Sequence, residues 1–342
     1  MRKISPLFCI ILAALVFAVA SCAYALPSGT EEAAAIAEAP PVILPEITPV
    51  PIAATEPTPA PITTCDDEDS RFDYYYTCFA KEPYEPSPTP KPTPTPRPTP
   101  APTPRPAHLD NIGALSNASA GWHFVRQPDG PPRGRESAAA LRPFDAFFIG
   151  DTTEPRIFLT FDSGYERGYT HRILDTLQEF NVHAAFFLTE SYIRRNPAIV
   201  QRKIDEGHVI ANHSVTHRNF PDLTDEQIEH ELVATADRLY ELTGHVMSPF
   251  FRPPAGVYSR RVLALVQSHG YYTVFWSFAH RDWVVADQPP VETTINRVVG
   301  SLHNGMVILL HTNSRSNTYA LPYILEQALE LGFEFVSLYE LW

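Results

Sequence analysis

Five segments of this chain end in residues able to move protons or bind cations. "IFLTFDSGYE" (157–166) carries Asp162 at the end of an apolar run of Ile157, Phe158, Leu159 and Phe161, then breaks off in Ser163, Gly164 and Tyr165. "NHSVTH" offers His213 and His217, two imidazoles that can share one metal ion if a helical turn or a tight loop joins them. "FFRPPAGVY" leads into Arg252, "WSFAHRDW" holds Asp282 and Trp283, and "ILLHTN" holds His311. Singly, each has an ordinary reading. Asp162 could cap a helix, the histidines could cap or fill a core, Arg252 could pair with any buried acid, and Trp283 could be core. Together they fit metal-assisted hydrolysis of an acyl group. A divalent metal polarises a carbonyl and activates water. A carboxylate takes the water's proton, and a histidinium gives a proton to the leaving nitrogen. An arginine beside the base keeps it ionised, and an aspartate beside the acid keeps the imidazole protonated.

These groups can cooperate only if the elements carrying them end on one face. Short apolar runs predict strands at 157–161, 184–188, 209–211, 250–252, 273–276, 306–310 and 334–336. Between them, "YTHRILDTLQEF" and "DEQIEHELVATADRLYELTG" place apolar residues three and four apart, and the second ends in Gly244. The stretches 259–268, 291–302 and 319–331 read as helices too. Strands alternating with helices imply parallel pairing with helices outside. The expected fold is α/β, a distorted, incomplete (β/α)7 barrel of TIM-like kind, with a doubly wound open sheet as the other reading. In a barrel all of the named residues lie at the strands' C-terminal ends, where active sites form.

The 342 residues are 44% hydrophobic, enough for one large core with extensions. A formal charge of −13 argues against nucleic acid as a partner. Arg2 and Lys3 precede an apolar run at 7–20, so residues 1–26 read as an export signal. Lipidation at Cys22, ordinary cleavage after Ala23-Tyr24-Ala25 and an uncleaved anchor are all consistent with it, and each places the chain outside the cytoplasm, tethered or secreted. Residues 27–107 hold most of the 35 prolines, with proline at every second position from Pro86 to Pro106. Such a segment cannot build regular hydrogen bonding and is expected to be a disordered, semi-rigid stalk. Of the four cysteines, Cys65 and Cys78 could close a small loop within it. The folded domain is expected at 108–342, as a monomer.

"TFDSGYE", "HSVTH", "RPPAGVYS", "RDW" and "LLHT", in this order, resemble the five motifs of the polysaccharide deacetylases (NodB-homology domain, carbohydrate esterase family 4). Within that family, "GWHFVRQPDGPP", "VFWSFAHRDW" and "LLHTNSRSNTYAL" look most like the delta-lactam-biosynthetic de-N-acetylase branch. The resemblance spans about 121–342. It implies a metal-dependent deacetylase with Asp162 as catalytic base, His213 and His217 as metal ligands, and Arg252 supporting the acid–base machinery. It also implies that the Ala255 N–H helps to hold the oxyanion, that Asp282 orients His311, the catalytic acid, and that Trp283 walls the sugar groove. The implied substrate is peptidoglycan N-acetylmuramic acid, whose freed amine then closes the muramic δ-lactam of spore cortex.

The family usually has an aspartate ligand where this chain has Ser163, and many relatives have an aspartate where it has Thr312. Losing an anionic ligand leaves two neutral imidazoles, so weak and unselective binding of one divalent ion is expected. Zinc comes first, with cobalt, manganese or magnesium as alternatives. Two other functions stay open: a deacetylase of chitin-type or O-acetylated polysaccharide, and a carbohydrate-binding relative without catalysis.

Overall fold

Eight strands, all parallel, form the central sheet of the computed structural model, which describes residues 106–127 and 130–341. They are β1 (Ala146–Phe147), β2 (Arg156–Ser163), β3 (Ala185–Leu188), β4 (Val209–Asn212), β5 (Phe250–Phe251), β6 (Tyr272–Val274), β7 (Met306–His311) and β8 (Glu334–Phe335). Their order is β7-β2-β3-β4-β5-β6-β1, and β8 pairs with the start of β2. The main helices are α1 (Thr170–Glu179), α2 (Glu190–Arg195), α3 (Pro197–Asp205), α4 (Asp225–Thr243), α5 (Arg260–Ser268), α6 (Val291–Val299) and α7 (Arg315–Glu330). The export signal expected at 1–26 lies outside the described residues. So does the proline-rich stretch up to residue 105, with Cys65 and Cys78. No helix among the described residues is long and apolar enough to cross a membrane.

The side-chain alternation of a strand divides β2 between two cores. Ile157, Leu159 and Phe161 join the layer between sheet and helices, against Ile173, Leu177, Ile324 and others. Phe158 faces the barrel interior with Phe187, Ala211, Phe250, Val274 and Val307. The two strand faces therefore meet different partners, and Asp162 and Ser163 at the strand's end inherit opposite directions.

All seven predicted strands are present. The eighth, β1, escaped notice because only two residues pair. Helices α2 and α3 were also missed. Pro197 opens α3, where a missing N–H costs nothing. Helix α7 begins at Arg315, four residues before the predicted 319, because Ser316, Asn317 and Thr318 in its first turns are polar yet buried, which defeats apolar periodicity. Helix α4 ends at the Gly244 that its sequence marked, here at φ 68°, and starts with a capping box between Thr224 and Gln227.

The barrel is distorted at one seam. Strands β1 and β7 are the two ends of the sheet, and only isolated bridges join that region, Ile149 to Met306 and Phe278 to Ile308. Hydrogen bonds from Gly150 N to Gly305 O (2.8 Å) and from Leu309 N to Phe278 O (2.9 Å) stitch it. Gly305 has φ 71°, and a Cβ there would lie 2.8 Å from the backbone oxygens of Gly150 and Asp151. Gly305→Ala is expected to cost about 1–3 kcal/mol, through strain at a left-handed residue and a clash with immovable backbone. Urea unfolding of the two forms measures it; an unchanged midpoint would remove the seam from the account of stability.

Candidate active site

Asp162 ends the inward face of β2, and Arg252, directly after β5, reaches it across the barrel. Arg252 is fully buried. Its Nη1 donates to Asp162 Oδ1 at 2.8 Å, its Nη2 to Thr160 Oγ1 at 2.8 Å, and its Nε to the Val274 carbonyl at 3.0 Å. The guanidinium lies over the Phe187 ring, 4.0 Å from its centroid. Four strands thus fix one cation. Burial pushes the Asp162 carboxyl up, but the Arg252 charge, the His311 charge and the Arg252 hydrogen bond outweigh it and hold it below the usual range. Asp162 is an anion at neutral pH.

The same arginine fixes His213, whose Nδ1 lies 2.8 Å from the Arg252 carbonyl. That bond places the proton on Nδ1 and leaves the Nε2 lone pair 3.5 Å from Asp162 Oδ2. Burial lowers the His213 pKa to about 4, so the ring is neutral. His217 follows in a tight loop, not a helix. Ser214 (φ 72°) and His217 itself (φ 57°) are left-handed, and the chain turns back until the two rings meet edge to face, 4.9 Å apart. Buried Glu231, on α4, clamps this loop. One of its oxygens accepts the N–H groups of Val215 and Thr216, each at 2.8 Å, and the other accepts the Thr216 hydroxyl. Nothing in the sequence singled out Glu231, because a lone glutamate in an amphipathic helix reads as surface.

His311 ends β7 beside β2, and its Cα partner in the ladder is Asp162. Register partners on parallel strands point the same way, so both side chains face one mouth. Asp282, fully buried, accepts from His311 Nδ1 at 2.7 Å and from the His311 backbone N–H at 2.8 Å. Burial alone would lower the His311 pKa. The Asp282 charge and hydrogen bond, with the Asp162 charge, raise it above the ordinary histidine value. Trp283 stands 51% exposed with its ring 5.7 Å from that of His311. Ala255 lies in the turn Pro254–Gly256 just past Arg252, exposed and at φ 52°, a conformation that costs an alanine strain and is held by the surrounding turn. Tyr165, on the loop after β2, is 67% exposed.

Ser163, the residue after Asp162, faces away from this mouth. Its hydroxyl accepts from Thr312 Oγ1 at 3.1 Å and from Lys203 Nζ, on α3, at 3.5 Å. Lys203 is fully buried, lies within 4.4 Å of the Phe186 and Tyr192 ring centroids, and donates to the Tyr192 hydroxyl at 3.2 Å. Tyr192 in turn donates to Glu166 at 2.8 Å. The serine is thus part of a buried polar network on the helix side. Among the described residues, no three His, Cys, Asp or Glu side chains are grouped to enclose a metal ion. The donor chemistry still fits one: two neutral imidazoles, one with its outer nitrogen tied to a carbonyl, beside an ionised carboxylate. His213 and His217 would hold it, with the remaining positions open to water or substrate.

A clamped carboxylate beside a carboxylate-backed imidazole, at the strand ends of a parallel barrel, is an arrangement that suits acid–base hydrolysis. Comparison with known proteins makes the class specific. Residues 149–274 match the polysaccharide deacetylase family. Peptidoglycan-N-acetylmuramic acid deacetylase PdaA of Bacillus subtilis (strain 168) is 37% identical over 232 residues, 67% of this chain and 88% of that protein. The solved structure of Bacillus subtilis PdaA, a family 4 carbohydrate esterase, matches with a TM-score of 0.64 at 36% identity, over 66% of this chain and 98% of that one. A family 4 carbohydrate esterase from Bacillus anthracis matches with a TM-score of 0.56 at 37% identity, over 67% and 98%. The chain belongs to the polysaccharide deacetylase family and is a deacetylase of that kind.

The buried lysine behind Ser163 has a measurable cost. Burial, only partly offset by the Glu166 charge, lowers the Lys203 pKa from 10.5 to about 7. The unfolded chain therefore binds the extra proton between those values, and stability contributed by this site rises with pH across that window. Lys203→Met keeps the volume and leaves Tyr192 bonded to Glu166. It is expected to stabilise the protein at pH 7 by about 1–4 kcal/mol, the range for replacing buried charge by packed apolar groups, and to flatten the rise. Denaturant unfolding at about pH 7 and about pH 10 checks both. A destabilised variant would mean that the lysine's hydrogen bonds outweigh its desolvation.

Proposed function

We propose that this protein removes the N-acetyl group from N-acetylmuramic acid in peptidoglycan glycan strands whose peptides have been trimmed, and that the freed amine then closes a muramic δ-lactam on the neighbouring lactyl carboxyl. The pairing of Asp162 with His311 across adjacent strands, each with its own buried counter-charge, carries the catalytic half of this reading. The substrate half is supported by the activity named for the Bacillus subtilis relative. The same relatives favour action at the cell wall, outside the cytoplasm, consistent with the export signal and proline stalk read from the sequence.

Asp162, held ionised by Arg252, takes a proton from the water that attacks the acetyl carbonyl carbon. The Ala255 N–H faces the oxygen on which negative charge develops. His311, held protonated by Asp282, gives its proton to the amide nitrogen as the C–N bond breaks, leaving acetate and a free amine. Trp283 offers a sugar ring an apolar face beside the acid. A divalent ion between His213 and His217, zinc or else cobalt, manganese or magnesium, supplies Lewis-acid activation of the carbonyl and water when bound. With Ser163 turned to the helix layer, no second carboxylate stands beside Asp162 to hold that ion, so binding is weak and readily reversed by chelators.

With added divalent metal, the whole chain is expected to release acetate and expose amines on peptide-free peptidoglycan strands, read by acetate assay and mass spectrometry. Asp162→Asn and His311→Ala should each lower kcat about 10²–10⁴-fold. Retained activity in either would refute the assigned roles, and preferential turnover of chitin oligomers or acetylated xylan would refute the muramic substrate. The pH profile supplies a second check. The reaction needs protonated His311, so activity falls as pH rises through its raised pKa. Asp282→Asn removes the charge that raises it, and the alkaline limb should move to lower pH; a limb that stays in place would assign the acid role elsewhere.

A further inference from the structure

We infer that Asn317, backed by His280, is a positioning residue that holds Asp282 in line with His311, a role that rests on the acid–base reading above. Asn317 is 1% exposed, in the first turn of α7. Its Nδ2 donates to Asp282 Oδ2 at 2.5 Å and reaches the His311 carbonyl at 3.3 Å. Its Oδ1 lies 3.0 Å from His280 Nε2. The amide can point only one way, because the reverse would set its oxygen against the Asp282 carboxylate. His280 must therefore donate from Nε2, which leaves its Nδ1 bare; that atom is buried and has no partner. Burial lowers the His280 pKa, in keeping with a neutral ring.

The contacts of Asp282 define what this does. Its Oδ1 takes the ring N–H of His311. Its Oδ2 takes the His311 backbone N–H and the Asn317 amide. Without Asn317 the carboxylate keeps hydrogen bonds only to the residue it has to orient, and it can swing with it. The amide anchors it to the helix instead. The anchor is itself fixed, since Ser314 Oγ accepts the Asn317 backbone N–H at 3.2 Å and donates to Gln288 at 2.6 Å. Gln288 Nε2 in turn donates to the Asp282 carbonyl at 2.5 Å. The loop carrying Asp282 and the start of α7 are thus joined at both side chain and backbone.

The test uses the whole protein with Asn317→Ala, Asn317→Asp, Asp282→Asn and the Asn317→Ala/Asp282→Asn double variant. Turnover is measured on peptide-free glycan strands, and the His311 ring N–H proton is followed by NMR. Asn317→Ala should lower kcat roughly 10–100-fold, as loss of such outer partners does, with KM changed less than about twofold. The His311 ring N–H signal should shift or broaden. In the Asp282→Asn background the second substitution should cost nothing more, because both act through one carboxylate. Multiplying losses, or a wild-type kcat and an unmoved ring signal in Asn317→Ala, would overturn the assignment. If Asn317→Ala does not fold, Asn317→Asp keeps the volume but sets a carboxylate against Asp282, and must still lower kcat and move the signal. Should the wild type release no acetate from any glycan, the function fails, while the ring signal still decides whether Asn317 positions Asp282 against His311.

Discussion

The site depends on a buried ion pair, Arg252 with Asp162, that would be unfavourable almost anywhere else in the molecule. Taking a guanidinium and a carboxylate out of water is repaid only by close geometry and full hydrogen bonding. Here the geometry is imposed by the barrel: Arg252 donates to partners carried by β2 and β6 and stacks on a phenylalanine of β3. Its own carbonyl then sets the tautomer of His213. One residue therefore keeps Asp162 ionised and frees the His213 nitrogen lone pair beside it. The chain gives up apolar packing at the barrel's centre to obtain a carboxylate whose charge and direction are both fixed.

The acid side repeats the logic with reversed sign. A buried carboxylate, Asp282, raises the pKa of a partly exposed imidazole, His311, and a helix start holds the carboxylate. In the proposed mechanism Asp162 as base and His311 as acid have opposite pKa needs although they sit on adjacent strands. Their environments separate them, with a cation behind one and an anion behind the other. The loop between His213 and His217 is built on two left-handed residues and held by one glutamate clamp.

Much of this was legible in the sequence. Asp162, His213, Arg252, Asp282 and His311 each follow an apolar run, and parallel strands bring such positions to one mouth. The main strands were readable because each is a short apolar run between turns. The polar residues that support the site were not readable. Asn317, His280, Glu231 and Lys203 sit in helices or loops where polar residues are usually solvated, and only packing shows that they are buried. Helix α7 was read as starting late for the same reason, since its buried first turns are polar.

Ser163 shows the division most clearly. The sequence alone determined that no carboxylate stands beside Asp162, and so that any ion there has fewer anionic ligands. It also determined the alternation that sends neighbouring side chains of a strand to opposite faces. Only the tertiary structure decided what the serine meets on its face, a lysine on α3 and a threonine after β7, because those residues lie 40 and 149 positions away in the chain. Local periodicity fixes the direction of a side chain; its partner is fixed by the packing of elements that are remote in sequence.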